Sequence, residues 1–474
     1  MAIPTLQAIY DPRSPSRVLI IGAARQGTAL ARYLVEHGAR VILNDARTAG
    51  QLHSAREALA DLPIEWALGG HPLSLLEGVD LVCPSGGVPL DLPLIAEARR
   101  RGIPLSNDSQ IFLEAVPCKV IGITGSAGKT TTTTLVGRMA DEAGRMRSGE
   151  NRHPPSVWVG GNIGNPLITE VERISPQDLV VLELSSFQLE VMTRSPQVAA
   201  VLNITPNHLN RHGTMAAYTA AKRRILDFQG MEDAAVLNRD DPGSWAFADS
   251  VAGRLVSFGL ARPPRGQAGT FRRGAQVSLW DGQSDRDLFP LEIIRLRGEH
   301  NLYNVLAACA IAHAAGISPE AMRAGVDGFS GVAHRLEFVR SWGGADWYND
   351  SIATAPERTI AAIRAFDEPL VLLLGGRDKN LPWNDLAALV HQRVKHVVLF
   401  GEAADLIAEA IGAPGGTLRS MSRRETLEQA VQAAAEAVEP GDVVLLSPGG
   451  TSFDAFRDFA ARGEQYRKWV NRLP

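Results

Sequence analysis

Short apolar runs, glycine turns and amphipathic stretches recur in order along the chain. Val18-Leu19-Ile20-Ile21 predicts a strand, Gly22 to Gly27 a tight turn, the stretch through Leu30, Tyr33 and Leu34 a helix, and Val41-Ile42-Leu43 the next strand. Leu81-Val82-Cys83 and Lys119 to Ile123 read as further strands, with a candidate boundary in the Asn107–Pro117 stretch between them. Leu179 to Leu184 and Ala199 to Ile204 are strands that each lead into a polar turn. The alternation restarts with Leu370 to Leu374 before Gly375-Gly376, and continues with His396 to Phe400, a helical Thr426 to Val438, and Val443 to Leu446 before Ser447-Pro448-Gly449-Gly450. Strand–helix alternation of this kind puts helices on the faces of parallel sheets. Two stretches rich in turn formers interrupt it: Gly144 to Ser156, expected as loop, and Arg262 to Asp287, expected as a hairpin or surface loop.

The 474 residues are enough for about three domains. Lys and Arg total 48 against 52 Asp and Glu, so a net charge of −4 carries no footprint for nucleic acid or an anionic membrane. Three scattered cysteines without a CxxC give neither a disulfide framework nor a zinc site. No apolar run approaches the ~18–20 residues that span a bilayer, and the N-terminus does not read as a signal peptide, so a cytoplasmic protein is expected.

The strongest chemical signal is Gly122-Ile-Thr-Gly125-Ser126-Ala127-Gly128-Lys129-Thr130-Thr131, between an apolar strand and a helix start. Glycines let backbone N–H groups face phosphate oxygens, and the helix N-terminus adds positive potential. Lys129 is placed to reach the β- and γ-phosphates and the Thr130 hydroxyl to bind Mg²⁺, although Ile123 stands where the strict pattern has glycine. ATP or GTP binding follows. Gly22-Ala-Ala-Arg-Gln-Gly27 is weaker, since Ala24 replaces the middle glycine of a dinucleotide turn. With Asp45 ending the second strand, it suits a nucleotide-like ligand such as a UDP moiety at least as well as NAD, or mere tight packing. The fold expected is α/β with three domains in series: a Rossmann-like N-terminal domain (1–107), a central P-loop ATPase-type parallel-sheet domain (108–331) and a Rossmann-like C-terminal domain (332–474).

Further motifs follow in order: Gly160-Gly161-Asn162-Ile163-Gly164, Leu182 to Glu190, Asn203 to His208, Tyr218 to Lys222, Gly298 to Asn301 with Asn304, His334-Arg335, Asn349-Asp350-Ser351, Gly375 to Lys379 and Ser447 to Asp454. As an ordered set they resemble the Mur ligase family over nearly the whole chain. The resemblance implies ATP-dependent ligation of D-glutamate to UDP-N-acetylmuramoyl-L-alanine, by way of an acyl phosphate, in cytoplasmic peptidoglycan precursor synthesis by a monomer. It implies Mg²⁺, as two ions, held by Thr130, Glu183, His208 and Lys222, with N6-carboxylation of Lys222 turning a cation into an anionic ligand. Lys129, Glu183, His208 and Lys222 form the implied catalytic set. By the same resemblance Asn301 and Asn304 contact the adenine side of ATP, Arg335 its phosphates and Asp350 its ribose. Arg25, Gln26, Asp45, Arg47, Ser85 and Gly87 match the UDP-binding segment, Asn162, Ser185 and Gln188 the muramoyl-alanine contacts, and Thr354, Lys379, Ser452 and Phe453 the glutamate site.

Read singly, most of these residues are ordinary surface or capping groups. The chain also departs from the family's pattern. Asn207 and Asn210 stand where the commoner pattern has Asp, and Ile352 where many relatives carry Lys, a missing cation for which Arg377 or Arg358 could compensate. The competing readings are another ligase of the superfamily, adding diaminopimelate or lysine or extending folylpolyglutamate, and a non-catalytic nucleotide-binding scaffold. The intact set of Lys129, Thr130, Glu183, His208 and Lys222 speaks against the latter.

Overall fold

The structure is a computed structural model and describes residues 15–148, 155–164, 166–379 and 381–474. Among the described residues three sheets follow one another along the chain. The first has four parallel strands in the spatial order Glu65–Leu68, Arg40–Asp45, Arg17–Ile21, Leu81–Pro84. The second has nine strands, beginning at one edge with Val157–Gly161, Leu179–Glu183, Lys119–Thr124 and Val198–Val201. It continues through Ala234–Asn238, Arg254–Phe258 and Ala268–Arg273, all parallel, to the antiparallel pair Gln276–Trp280 and Asp285–Pro290. The third has six, in the order Glu337–Trp342, Ala345–Asn349, Val443–Gly449, Leu370–Gly375, Val394–Phe400, Ser420–Arg424, antiparallel only at its first pair. The expected α/β class with three parallel-sheet domains in series is what the chain forms.

The central strands are near-continuous Val, Ile and Leu because helices cover both faces of each parallel sheet. One apolar core runs from Val18, Ile20 and Leu34 of the first sheet to Val120, Leu182 and Val201 of the second. The two form a single compact unit comprising residues up to 294 together with 299–328, while residues 295–298 and 329–474 form the other. In that second unit the six-stranded sheet is packed on one face by Ile363, Leu386 and Ile407 and on the other by Leu427, Val431 and Tyr466.

Two local expectations are corrected and a third is borne out. The expected loop from Gly144 begins inside the helix Lys129–Ser148, because Ala143, Met146 and Arg147 are good helix formers that carry a lone glycine; residues 149–154 of that stretch lie outside the described residues. The 262–287 stretch takes the hairpin form of its two expected ones: Gly274, at φ 59°, makes the turn between two antiparallel strands, and Arg262 lies 3.8 Å over the Trp280 ring. The strand expected to reach Ile204 stops at Val201, since Asn203 is drawn off to the phosphate loop. Among the described residues no helix is long and apolar enough to cross a membrane.

Candidate active site

The strand Lys119–Thr124 lies inside its sheet, so the loop at its carboxyl end emerges where α/β sheets place ligands. Gly128 adopts φ 82°, and a Cβ there would lie 2.2 Å from Asn304 Oδ1, so only glycine fits. Asn203 fixes the loop in both directions: its Oδ1 accepts from the Ala127 N–H at 2.8 Å and its Nδ2 donates to the Ala127 carbonyl at 3.1 Å. Ser126 Oγ accepts from the Thr205 N–H at 2.9 Å and lies 2.9 Å from the Tyr218 hydroxyl. The Lys129 ammonium donates to the Gly125 carbonyl at 2.8 Å, curling back over the loop that precedes it.

Thr130 and Glu183 meet as expected: the threonine hydroxyl donates to Glu183 Oε2 at 2.8 Å, while Asn162 Nδ2 donates to Oε1 at 2.8 Å. Glu183 is 2% exposed, an acid held in place by two neutral donors. Two hard oxygen donors beside a phosphate loop have the donor chemistry Mg²⁺ takes. Lys222 lies behind them, 1% exposed, donating to the Gly125 carbonyl at 2.9 Å with its Nζ 4.8 Å from the Tyr218 ring centroid. Burial, then the Lys129 charge, bring its pKa down to about 6 against the opposing pull of Glu183. His208 is exposed, in the left-handed conformation at φ 54°, its ring 5.1 Å from that of Phe187. Among the described residues no three His, Cys, Asp or Glu side chains gather as a metal cluster. Of the set expected to hold metal, Thr130 and Glu183 are in direct contact, and Lys222 is buried close by.

Asn301 and Asn304 face each other on one helix, Nδ2 of Asn304 donating to Oδ1 of Asn301 at 2.9 Å, and Asn304 presses on Gly128. In the second unit Asp350 is buried, accepting from the Ser447 hydroxyl at 2.8 Å and the Leu336 N–H at 3.2 Å. Burial raises its pKa to about 7, against those hydrogen bonds and the charges of Arg335 and Arg358. The Lys379 ammonium donates to Thr354 Oγ1 at 3.2 Å; Ser452 is buried and Phe453 is 61% exposed.

Around the first glycine turn, Gly22 has φ 100° and Ser85 Oγ donates to its carbonyl at 3.0 Å. A Cβ at Gly27 would lie 1.8 Å from that same carbonyl, so close packing alone accounts for the second glycine. Asp45 accepts from the Ala23 N–H at 2.8 Å and from Arg47 Nη2 at 2.8 Å, which holds its carboxyl well below the usual range. Arg25 and Gln26 open the helix Arg25–Glu36, and Gln26 Oε1 lies near Gly86. The Gly87 carbonyl accepts from Arg211 Nη1 at 3.2 Å.

Ser185 and Gln188 are engaged with each other. Gln188 Oε1 accepts from the Ser185 N–H at 2.9 Å, its N–H donates to Ser185 Oγ, and its Nε2 donates to Ser109 Oγ at 2.8 Å. Together with Asn107, whose Nδ2 donates to the Gln188 carbonyl at 2.7 Å, they tie the two sheets of the first unit. Asn203, Tyr218, Arg211 and Arg462 were given no role by sequence reasoning. The first two lie inside motifs already quoted for their neighbours.

Three family models match the chain in order. The Mur ligase MurD-like N-terminal domain covers 16–107, the Mur ligase middle domain 123–312, and the Mur ligase glutamate ligase domain 334–450. The UDP-N-acetylmuramoylalanine–D-glutamate ligase of Symbiobacterium thermophilum is 42% identical, over 96% of this chain and 98% of its own. That of Pelotomaculum thermopropionicum is 40% identical over the same shares. The solved UDP-N-acetylmuramate-alanine ligase of Thermotoga maritima shares the fold, with a TM-score of 0.53 at 18% identity over 96% of this chain and 99% of its own.

Proposed function

The chain belongs to the Mur ligase family, and from that premise we propose that it joins D-glutamate to UDP-N-acetylmuramoyl-L-alanine with ATP, in peptidoglycan precursor synthesis. A carboxylate is a poor acceptor for an amine, so it must be activated. The alanyl carboxylate oxygen attacks the γ-phosphorus, the bond to ADP breaks, and an acyl phosphate forms. The uncharged amine of glutamate then attacks the acyl carbon, a C–N bond forms, phosphate leaves with the bonding electrons, and the amine proton is released.

The observation that carries this reading is the Thr130–Glu183 pair at 2.8 Å beside the glycine loop. The Gly125–Thr131 loop, through backbone N–H groups other than those of Ser126 and Ala127 that Asn203 holds, and the Lys129 ammonium take the phosphate oxygens of ATP, lowering the repulsion an anionic nucleophile meets. Thr130 and Glu183 would hold one Mg²⁺, which screens charge on the phosphates when bound. Lys222 has the low pKa of an amine that adds CO₂: the uncharged nitrogen bonds the carbon of CO₂, one proton leaves the nitrogen, and a neutral amine becomes an anion. Only in that carboxylated form does it suit a second ion with His208. Asn301 and Asn304 line the adenine side, Arg335 and Asp350 serve the phosphates and ribose, and Arg25, Gln26, Asp45, Arg47, Ser85 and Gly87 take the UDP portion. Asn162, Ser185 and Gln188 meet muramoyl-alanine, and Thr354, Lys379, Ser452 and Phe453 the glutamate. We place the enzyme in the cytoplasm, as a monomer, with domains at 1–107, 108–331 and 332–474.

The test is phosphate release from ATP with UDP-N-acetylmuramoyl-L-alanine, offering D-glutamate, L-glutamate, meso-diaminopimelate and lysine separately. Turnover with D-glutamate is expected. Turnover only with diaminopimelate or lysine would move the chain to another branch, and ATP binding without turnover on any of the four would favour a scaffold.

A further inference from the structure

The carboxyl ends of the strands Ala345–Asn349, Leu370–Gly375 and Val443–Gly449 converge on a corner of the second unit that is rich in cations. Lys379 donates to Thr354 Oγ1 at 3.2 Å, and the Thr354 N–H donates to the Ile352 carbonyl at 2.9 Å. Arg358 Nη1 lies 3.4 Å from that same carbonyl, a long contact and the one side-chain hydrogen bond Arg358 makes among the described residues. Arg358 is thus linked to Lys379 through one turn of chain. It sits in the first turn of the helix Pro356–Ile363, whose N-terminal N–H groups add positive potential.

The charges here are poorly balanced. Arg358 is exposed and forms no ion pair among the described residues. Asp350 spends its oxygens on Ser447 and the Leu336 N–H. Arg462, fully buried, donates to Ser351 Oγ at 2.9 Å and to the Ser351 and Gly450 carbonyls, neutral partners all, with Asp454 the acid whose charge it feels. Burial, then the charges of Arg358 and Arg462, lower the pKa of Lys379, and only Glu357 opposes them. Arg377, by contrast, is taken up by Glu402 at 2.8 and 2.9 Å. A cation held beside another without its own carboxylate is stabilised by an anion that binds there.

We propose that Arg358 is the second substrate-binding cation of the acidic amino-acid site, sharing the two carboxylates of the incoming glutamate with Lys379. It does so where Ile352, an apolar side chain, offers no charge. The inference rests on the ligase reading and adds a residue to its amino-acid site. A planar guanidinium donating two N–H groups to one carboxylate would supply both charge and orientation.

The test measures steady-state kinetics of the full chain with Mg²⁺, ATP and UDP-N-acetylmuramoyl-L-alanine, for wild type, Arg358→Gln and Arg358→Lys. Loss of one charge-assisted contact should raise the KM for D-glutamate ~10- to 50-fold in Arg358→Gln. KM values for ATP and the UDP substrate should stay within about twofold, with the lysine variant intermediate because charge survives and the fork does not. A matching melting temperature shows that the variant is folded; should Arg358→Gln not fold, the lysine variant decides alone. An unchanged KM for D-glutamate overturns the proposal, as does an equal rise in the KM for ATP. Wild-type turnover on D-glutamate with an unchanged variant KM sinks this inference alone, whereas no wild-type turnover on D-glutamate sinks the ligase reading and this inference with it.

Discussion

Replacing Lys222 by methionine should stabilise the protein while abolishing its activity. Lys222 is 1% exposed, and its pKa lies at about 6 against an ordinary 10.5. Between those values the unfolded chain binds one more proton than the folded one, so stability rises with pH from about 6 towards 10.5 and is flat below 6. At pH 7.5, deprotonating the lysine on folding costs roughly 4 kcal/mol. Methionine fills a similar volume without that cost. It gives up a hydrogen bond to the Gly125 carbonyl worth about 1 kcal/mol. That carbonyl retains Lys129 Nζ as a donor at 2.8 Å. The net gain is roughly 2–3 kcal/mol at pH 7.5 and falls towards zero by about pH 9.5. Thermal unfolding in CO₂-free buffer at the two pH values measures it: Lys222→Met should melt several degrees above wild type at the lower pH and within a degree or two at the higher. A pH-independent difference, or a less stable variant at pH 7.5, would refute the argument, because either means that the amine is not buried uncharged.

Other outcomes follow from the same geometry. Glu183→Gln keeps the shape between Thr130 and Asn162 but removes the charge, and should lower kcat by ~10²–10³ with ATP still bound, read by ADP release against equilibrium nucleotide binding. Gly128→Ala forces a Cβ to within 2.2 Å of Asn304 Oδ1 at φ 82°, and should cost about 1–3 kcal/mol of stability along with ATP affinity. The double variant with Asn304→Ala relieves the clash but not the backbone strain, so it should recover only part of the loss. Asp350 has a pKa raised to about 7, so the folded state holds the extra proton and stability falls as pH rises from about 4 to 7. Asp350→Asn should therefore gain on wild type between pH 5 and pH 8 in denaturant titrations, and a constant difference would count against a buried protonated carboxyl.

What could be read in advance follows the reach of each interaction along the chain. Lys129, Thr130 and the glycines announce themselves because strand, loop and helix are contiguous, so local spacing encodes the geometry. Glu183 was legible from its place at the end of an apolar strand, although its partner Thr130 is 53 residues away. Asn203 and Tyr218 were not, since they support the loop from 76 and 92 residues away and neither residue type alone marks such a role. Ser185 and Gln188 show the opposite limit. A short polar run beside a site reads as ligand contact, yet its first task is a capping box and a tie to Ser109. The 262–287 stretch was legible as a hairpin from its turn-forming residues, because Gly274 between short strands encodes the reversal locally.

Position 352 joins these cases. Taken by itself Ile352 subtracts a cation, and sequence order offers Arg358 and Arg377 equally as replacements. Folding separates the two candidates by what surrounds them. Arg377 meets Glu402 across a surface turn, whereas the helix beginning at Pro356 turns Arg358 back onto the carbonyl of Ile352 itself. A binding site specifies a potential at a point in space, not a residue at a position in the chain. An apolar substitution at one position is therefore compatible with an intact site wherever a neighbouring turn returns an unpaired charge to the same corner. The corresponding expectation is that Ile352→Lys in the Arg358→Gln background lowers the KM for D-glutamate again, whereas Ile352→Lys in wild type changes it little.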